Sequence, residues 1–314
     1  MKTILLILPY FGKWPIWIDA HLRSIEKNPT INWLFVTDCE IPQDYPNNIK
    51  FVTTTLQELN ERVNHVVGVD VPLTPRKFCD IRLAFGEIFK DFLENYDFWG
   101  FCDADVIWGD IRKFITDDIL SNNDIISSRK DTLSGHFSLF RNISKLNVLY
   151  KNIPDYKELF GNAKLMRMDE ECLTDFLKEN TTDYGLKNRI YWPTILLNQE
   201  RGIDSHQEYH LDKWQWKDGK ILGLENGKYT NEVMYLHFIN WKKTMKKSEV
   251  KYTHLTDYFY ISYSSIHFQL HSNFEKNMAM FTNLFNGYYA KEYRRIKKKK
   301  FQKKLERIIK KIKK

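Results

Sequence analysis

Hydrophobic positions in the first third of the chain alternate between continuous apolar runs and helical spacing. The runs predict strands at residues 3–8, 33–37, 51–55 and 98–102. Apolar residues at helical spacing predict helices at residues 16–25, 56–67 and 77–92. Strands that alternate with helices favour a mostly parallel sheet with helices on both faces. The predicted fold class is therefore α/β.

The pattern is less regular after residue 110. Short apolar or alternating segments predict strands at 124–127, 135–140 and 233–238, and a helix begins near residue 169. Strand-like segments at 213–217 and 221–222 flank Asp218-Gly219, a dipeptide favoured in type I′ turns, which predicts a hairpin.

Charge divides the chain into two parts. The net charge is +8, but residues 291–314 hold eleven Lys, three Arg and two Glu, a charge of +12, which leaves −4 for residues 1–290. We expect a globular domain over 1–290 and a basic tail over 291–314. Apolar residues of the tail fall at helical spacing, at Phe301, Leu305, Ile308, Ile309 and Ile312. This pattern is typical of a basic amphipathic helix on an anionic membrane, with RNA binding and disorder as the alternatives.

The four cysteines lie far apart, without the spacing of a zinc site or a disulfide scaffold, so reduced thiols in a cytoplasmic protein are expected. The apolar run after Lys2 is short and ends at Pro9, which indicates a first strand and not a signal peptide. No segment is long and apolar enough to cross a bilayer.

Two carboxylates one residue apart carry the candidate chemistry. Asp103 and Asp105 follow the apolar run at 98–102. Alternate residues of an extended segment share a face, so both side chains can hold one divalent cation. A turn or helix-capping role is the alternative.

Asp103-Ala104-Asp105 resembles the DxD element of GT-A nucleotide-sugar glycosyltransferases, which follows an apolar strand. The resemblance implies a Rossmann-like GT-A fold in which the two Asp hold Mn²⁺ or Mg²⁺ against the donor diphosphate. Residues 235–242, Tyr-Leu-His-Phe-Ile-Asn-Trp-Lys, resemble the His segment of the retaining galactosyltransferase and glycogenin group. That resemblance implies His237 as third metal ligand and Lys242, or its neighbour Lys243, as a diphosphate contact.

The same group carries an Asp-Gln-Asp element where this chain has Asp169-Glu170-Glu171. The resemblance implies catalytic roles for these three residues. Because Glu170 is a carboxylate, it can act as a general base in an inverting displacement, so both stereochemical outcomes stay open. Acidic residues are also favoured at any helix N-terminus, which is the alternative.

Resemblance by position implies further donor contacts. Contacts to the nucleotide base and ribose are expected from Pro9, Tyr10, Phe11 and Asp38. Phosphate and sugar contacts are expected from Lys77, Arg82 and His136.

The run from Pro9 to Lys242 also resembles an uncharacterised bacterial group of polysaccharide-building transferases. These resemblances imply hexosyl transfer from a UDP-sugar to a glycan or lipid-linked glycan, in bacterial surface-polysaccharide (O-antigen or capsule) synthesis. The enzyme would be peripheral on the inner face of the cytoplasmic membrane, with no nucleic acid partner. One alternative is a haloacid-dehalogenase-type phosphatase, which also places Asp-x-Asp after an apolar strand. Another is a non-catalytic adaptor that binds membrane or RNA.

Overall fold

A computed structural model describes residues 1–192, 209–225, 227–254 and 256–290, and isolated positions between 293 and 305. The largest sheet has seven strands, in the order β3-β2-β1-β4-β7-β6-β8. Its strands are β1 Ile4–Tyr10, β2 Ile31–Thr37, β3 Ile49–Thr53, β4 Phe98–Cys102, β6 Ile125–Ser127, β7 Phe137–Arg141 and β8 Ile190–Tyr191. Four of the six pairings are parallel, and β7 runs antiparallel to both its neighbours. The predicted α/β class with a mostly parallel sheet is confirmed.

Both faces of this sheet are buried, as its continuous apolar runs require. Along β1, Leu5 and Ile7 point into one hydrophobic cluster, whereas Ile4, Leu6 and Leu8 point into another. Gly100 in β4 packs closely against β7, because a Cβ there would lie 2.3 Å from the carbonyl oxygen of Ser138.

The helices of the described part of the chain are α1 Ile18–Glu26, α2 Leu56–Val67, α3 Phe78–Ile81, α4 Phe85–Ile88, α5 Ile111–Phe114, α6 Asp117–Asn122, α7 Ser144–Asn147, α8 Tyr156–Gly161, α9 Thr174–Asn180 and α10 Asn273–Phe285. Short 3₁₀ turns occur at Arg82–Ala84, Lys90–Phe92, Leu149–Asn152 and Trp241–Lys243, and a π-helical turn occupies Met168–Leu173.

The helix predicted over 77–92 is a series of short helical turns, so that prediction is wrong in its continuity. Nearly every residue from Lys77 to Phe89 is buried, including Asp80 and Arg82. Packing on all sides therefore overrides the one-face periodicity of a surface helix.

A second, six-stranded sheet has the order β11-β10-β9-β14-β15-β13. Its strands are β9 Trp214–Lys217, β10 Lys220–Glu225, β11 Lys228–Val233, β13 Lys247–Ser248, β14 Tyr258–Ile261 and β15 Ser265–His267. The predicted hairpin is confirmed: β9 and β10 pair, and Asp218 and Gly219 have φ of +47° and +79°, as a type I′ turn requires. The strand predicted at 233–238 is divided at residue 234.

A third sheet, of two strands, pairs a strand that follows β4 with a strand that follows β11. It pairs β5 Val106–Trp108 with β12 Tyr235–His237, antiparallel, and places His237 opposite Val106. The Asp103-Ala104-Asp105 turn lies between β4 and β5, so this pairing brings His237 beside the two carboxylates.

Candidate metal and nucleotide-sugar site

Buried donors hold the Asp103-Ala104-Asp105 turn in place. Trp17 Nε1 donates to the Ala104 carbonyl at 2.9 Å, and the Phe238 amide donates to the Asp105 carbonyl at 2.8 Å. His21 Nδ1 contacts the Val106 carbonyl, and burial lowers the pKa of His21 to about 4. His21 is therefore a neutral imidazole that donates to the backbone.

Three ligand-type side chains converge at this turn. His237 Nε2 lies 3.2 Å from Asp105 Oδ2 and 3.7 Å from Asp103 Oδ2. Lys242 Nζ lies 2.8 Å from Asp105 Oδ2. Asp105 and His237 are buried, whereas 30% of the Asp103 side chain is exposed.

Burial and neighbouring charges shift the pKa values of Asp103, Asp105 and His237. Burial raises the pKa of Asp105, but His237 and Lys242 outweigh burial and hold the pKa below its ordinary value. Burial lowers the pKa of His237, but Asp105 and Asp103 raise it above its ordinary value. The pKa of Asp103 is raised by its removal from bulk solvent and by Asp105, against the opposing charge of Arg82.

The donor set fits a divalent cation. One oxygen from each carboxylate and one imidazole nitrogen lie within 4.8 Å of one another. Neighbouring ligands of an octahedral Mg²⁺ or Mn²⁺ lie about 3 Å apart, close to the distances between His237 and the two carboxylates. Two carboxylates and one imidazole suit Mn²⁺ or Mg²⁺.

A buried guanidinium connects these carboxylates to a second acidic pair. Arg82 Nη1 lies 3.4 Å from Asp103 Oδ1, and Arg82 Nε lies 3.6 Å from Asp169 Oδ2. Nη1 makes no hydrogen bond with any described residue. It is therefore a buried donor that a ligand oxygen can use.

Asp169 and Glu170 lie on the π-helical turn. Burial and the charge of Glu170 raise the pKa of Asp169 to about 6, against the opposing effect of Arg82. Glu170 Oε1 lies 3.0 Å from Arg129 Nη1. A Cβ on Gly135 would lie 2.9 Å from Asp169 Oδ2, so glycine at this position lets the β6–β7 connection approach the acidic pair.

His136 also belongs to this site. Its ring stacks on that of His237, with the centroids 4.1 Å apart and the planes 22° apart. His136 therefore supports the orientation of the predicted metal ligand.

We call Asp103, Asp105 and His237 the metal-type cluster. A cleft of about 360 Å³ opens beside it. Its lining includes the predicted residues Pro9, Tyr10, Arg82, Asp103, Asp105 and Lys242. Phe11 stacks on Phe78, which also lines the cleft, with the ring centroids 5.6 Å apart. Asp38 Oδ1 accepts from the Gly12 amide at 2.7 Å and so holds the loop that follows Tyr10.

Two predicted site residues lie elsewhere. The Lys77 ammonium is buried and bonded to Asp80 and to the carbonyls of Leu159 and Lys164, because its helical turn faces the interior. The Glu171 side chain points to solvent and pairs with Arg167 at 3.0 Å. The expectation that Lys77 and Glu171 belong to the site is therefore corrected.

Sequence reasoning missed several contributors. Trp17 and Cys79 line the cleft, and Arg129 pairs with Glu170. Each reaches the site through tertiary packing, and no local pattern in the sequence marks it.

All four cysteines are free thiols. Among the described residues, the helices are too short or too polar to span a membrane.

The chain belongs to DUF6625, a family of unknown function whose model matches residues 6–270. No curated protein matches the chain.

Several solved structures resemble this one, and those named here are glycosyltransferases. The galactosyltransferase LgtC, solved with donor and acceptor sugar analogues, is 13% identical, with a TM-score of 0.34; the match covers 60% of this chain and 85% of that chain. Mouse xyloside xylosyltransferase 1 is 12% identical, with a TM-score of 0.37, over 75% of this chain and 98% of that chain. The bifunctional glycosyltransferase WbbM is 10% identical, with a TM-score of 0.37, over 61% of this chain and 39% of that chain.

Proposed function

We propose that this protein is a metal-dependent glycosyltransferase of the GT-A type that moves a hexose from a UDP-sugar to a glycan or lipid-linked glycan. The observation that carries the proposal is the convergence of Asp103, Asp105 and His237 with two cations, Lys242 and Arg82, at one cleft. This combination offers a cation site together with positive groups for the oxygens of a diphosphate.

Asp103, Asp105 and His237 would hold Mn²⁺ or Mg²⁺. When bound, the ion neutralises charge on the diphosphate and on the leaving nucleotide. Lys242 is half exposed, so its ammonium can turn from Asp105 to a phosphate oxygen. Arg82 directs its unbonded Nη1 to a phosphate or sugar oxygen.

Asp169 and Glu170 would serve the reacting end of the donor. Asp169 is buried and orients Arg82, whereas a third of the Glu170 side chain is exposed and can meet an acceptor hydroxyl. Glu170 is therefore the candidate base, and Arg129 positions it. The uracil and ribose would lie beside Pro9 and Tyr10.

We also propose that the basic segment 291–314 brings the enzyme to an anionic membrane. Lipid-linked glycans lie at such a surface, and the location would suit synthesis of bacterial surface polysaccharide from the cytoplasmic side. The charge of +12 in this segment supplies the attraction. The described apolar residues of the tail, Phe301 and Leu305, are exposed, and residues 308, 309 and 312 lie outside the described part of the chain.

Calorimetric titration of UDP into the full-length protein tests the donor site. We expect UDP to bind at least ten times more tightly with Mn²⁺ than with a chelator, because the bound ion contacts the diphosphate. GDP and ADP are the controls for the base. A protein that binds no UDP but hydrolyses a phosphomonoester, and loses that activity in Asp103→Asn, would contradict the proposal in favour of a phosphatase.

A further inference from the structure

Helix α10 turns its apolar side away from the protein. Phe274, Met278, Phe281 and Phe285 are between 47% and 77% exposed. At 100° per residue these four side chains fall within an arc of about 60°. We call these four residues the α10 apolar face. Leu284, which is 61% exposed, extends the face on one side.

The opposite side of α10 holds the helix to the protein through polar groups. Asn283 is buried and donates to the Tyr209 carbonyl at 2.9 Å, and Lys276 pairs with the buried Asp212 at 3.0 Å. Ser272 and Glu275 form a capping box that fixes the start of the helix. A helix on a globular protein normally buries its apolar stripe and exposes its polar side. In α10 this arrangement is reversed.

The surroundings of the α10 apolar face indicate what covers it. The helix carries only two charged residues, Glu275 in the cap and Lys276 in the pair with Asp212. The basic segment 291–314 follows directly along the chain. An apolar face beside a polybasic segment matches a surface with acyl chains beneath anionic headgroups.

We propose that the α10 apolar face inserts into the interfacial region of an anionic bilayer, and that α10 and the basic segment together form a two-part membrane anchor. A single weak signal gives only marginal membrane binding, whereas an apolar insertion combined with basic charge binds stably. The two parts differ in salt dependence. Attraction to headgroups is screened at high salt, but burial of apolar side chains is not.

Co-sedimentation with vesicles separates the two parts. The full-length protein is mixed with phosphatidylcholine vesicles, with or without phosphatidylglycerol, at low salt and at about 1 M salt, where the Debye length is about 3 Å. We expect binding to phosphatidylglycerol vesicles that persists in part at high salt. The triple variant Phe274→Ser, Phe281→Ser, Phe285→Ser should lose about 100-fold or more of the salt-resistant binding, since each apolar side chain contributes roughly a factor of ten.

A matched triple variant controls for loss of exposed apolar residues in general. Ile41→Ser, Tyr229→Ser and Tyr258→Ser change side chains that are 38%, 59% and 44% exposed on other parts of the surface. This variant should bind vesicles like the wild type. Retention of the wild-type far-ultraviolet circular dichroism and melting temperature verifies that both triple variants are folded.

A second readout reports insertion directly. Phe281→Trp should be quenched by phospholipids brominated in the acyl chain beyond the quenching seen for the wild type. Unchanged salt-resistant binding in the α10 triple variant, or no added quenching of Phe281→Trp, would overturn the proposal. A dimer that the α10 variant abolishes, without vesicle binding, would assign the face to a second copy of the chain and would also overturn it. None of these measurements uses a sugar nucleotide, so their failure is distinct from failure of the proposed activity.

Discussion

Asp105→Asn is expected to weaken Mn²⁺-dependent UDP binding by at least 100-fold and to lower the rate of hexose transfer by about 10²–10³-fold. Asp105 is buried, its carboxylate is held ionised by His237 and Lys242, and it supplies one of the three ligand atoms that lie within 4.8 Å. The amide has nearly the same shape but no charge, so the substitution removes the cation's attraction without opening a cavity. Calorimetry with UDP and Mn²⁺ measures the binding loss, and release of UDP from a UDP-hexose measures the rate.

Asp70→Asn is the matched control, because Asp70 is an exposed carboxylate away from the cleft. It should bind UDP like the wild type. His237→Ala should also weaken the metal-dependent binding, since it removes the proposed third ligand. An Asp105→Asn variant that binds UDP with wild-type affinity in the presence of Mn²⁺ would show that the carboxylate pair is not a metal site.

Asp80→Ala is expected to lower the free energy of unfolding by about 3–5 kcal/mol. Asp80 is fully buried and accepts from Lys77 Nζ at 2.8 Å and from the Met166 and Met168 amides at 2.9 and 3.1 Å. Alanine would leave the buried Lys77 ammonium without its counter-ion and the two amides without their acceptor. The loss is a large part of the 5–15 kcal/mol typical of a folded domain. Chemical denaturation followed by tryptophan fluorescence measures it.

Asp91→Ala serves as the comparison for a surface ion pair. Asp91 pairs with Arg62, but about half of its side chain is exposed, so the expected loss is below about 1 kcal/mol. The double variant Lys77→Met, Asp80→Leu should be more stable than Asp80→Ala, because it leaves no buried ammonium. Equal losses in Asp80→Ala and Asp91→Ala would contradict the structural role given to Asp80.

The Lys77–Asp80 pair also explains why part of the site could not be predicted from sequence. Lys77 and Arg82 were expected on one helix, as two cations near the donor. Because the helix is broken into short buried turns, Arg82 reaches Asp103 while Lys77 turns inward and fixes the segment that leads to Asp169. Helical periodicity cannot show this difference, since it describes a helix with one buried face.

The metal-type cluster could be predicted from sequence better than the helical segment at 77–92. Asp103 and Asp105 directly follow an apolar strand, which indicates where their side chains lie. The β5–β12 pairing explains why His237, 132 positions after Asp105, joins them. Glu170 and Glu171 show the opposite case, because the π-helical turn directs the first toward Arg129 and the second to solvent.

Of the six-stranded sheet, the sequence predicts only the β9–β10 hairpin, where Asp218-Gly219 marks the turn. Its other strands include β13 and β15, with two and three residues, which are too short to show alternation.

Metal-dependent release of UDP from a UDP-hexose by the full-length protein is the most direct test of the proposed glycosyltransferase activity. The protein is incubated with a set of UDP-hexoses, with Mn²⁺ or with a chelator, and free UDP is measured by chromatography. We expect at least one UDP-hexose to release UDP with Mn²⁺. The chelator should stop this release, and the Asp105→Asn variant should not release UDP. Absence of release from every UDP-hexose, in a folded protein that also fails to bind UDP with Mn²⁺, would contradict the proposed activity.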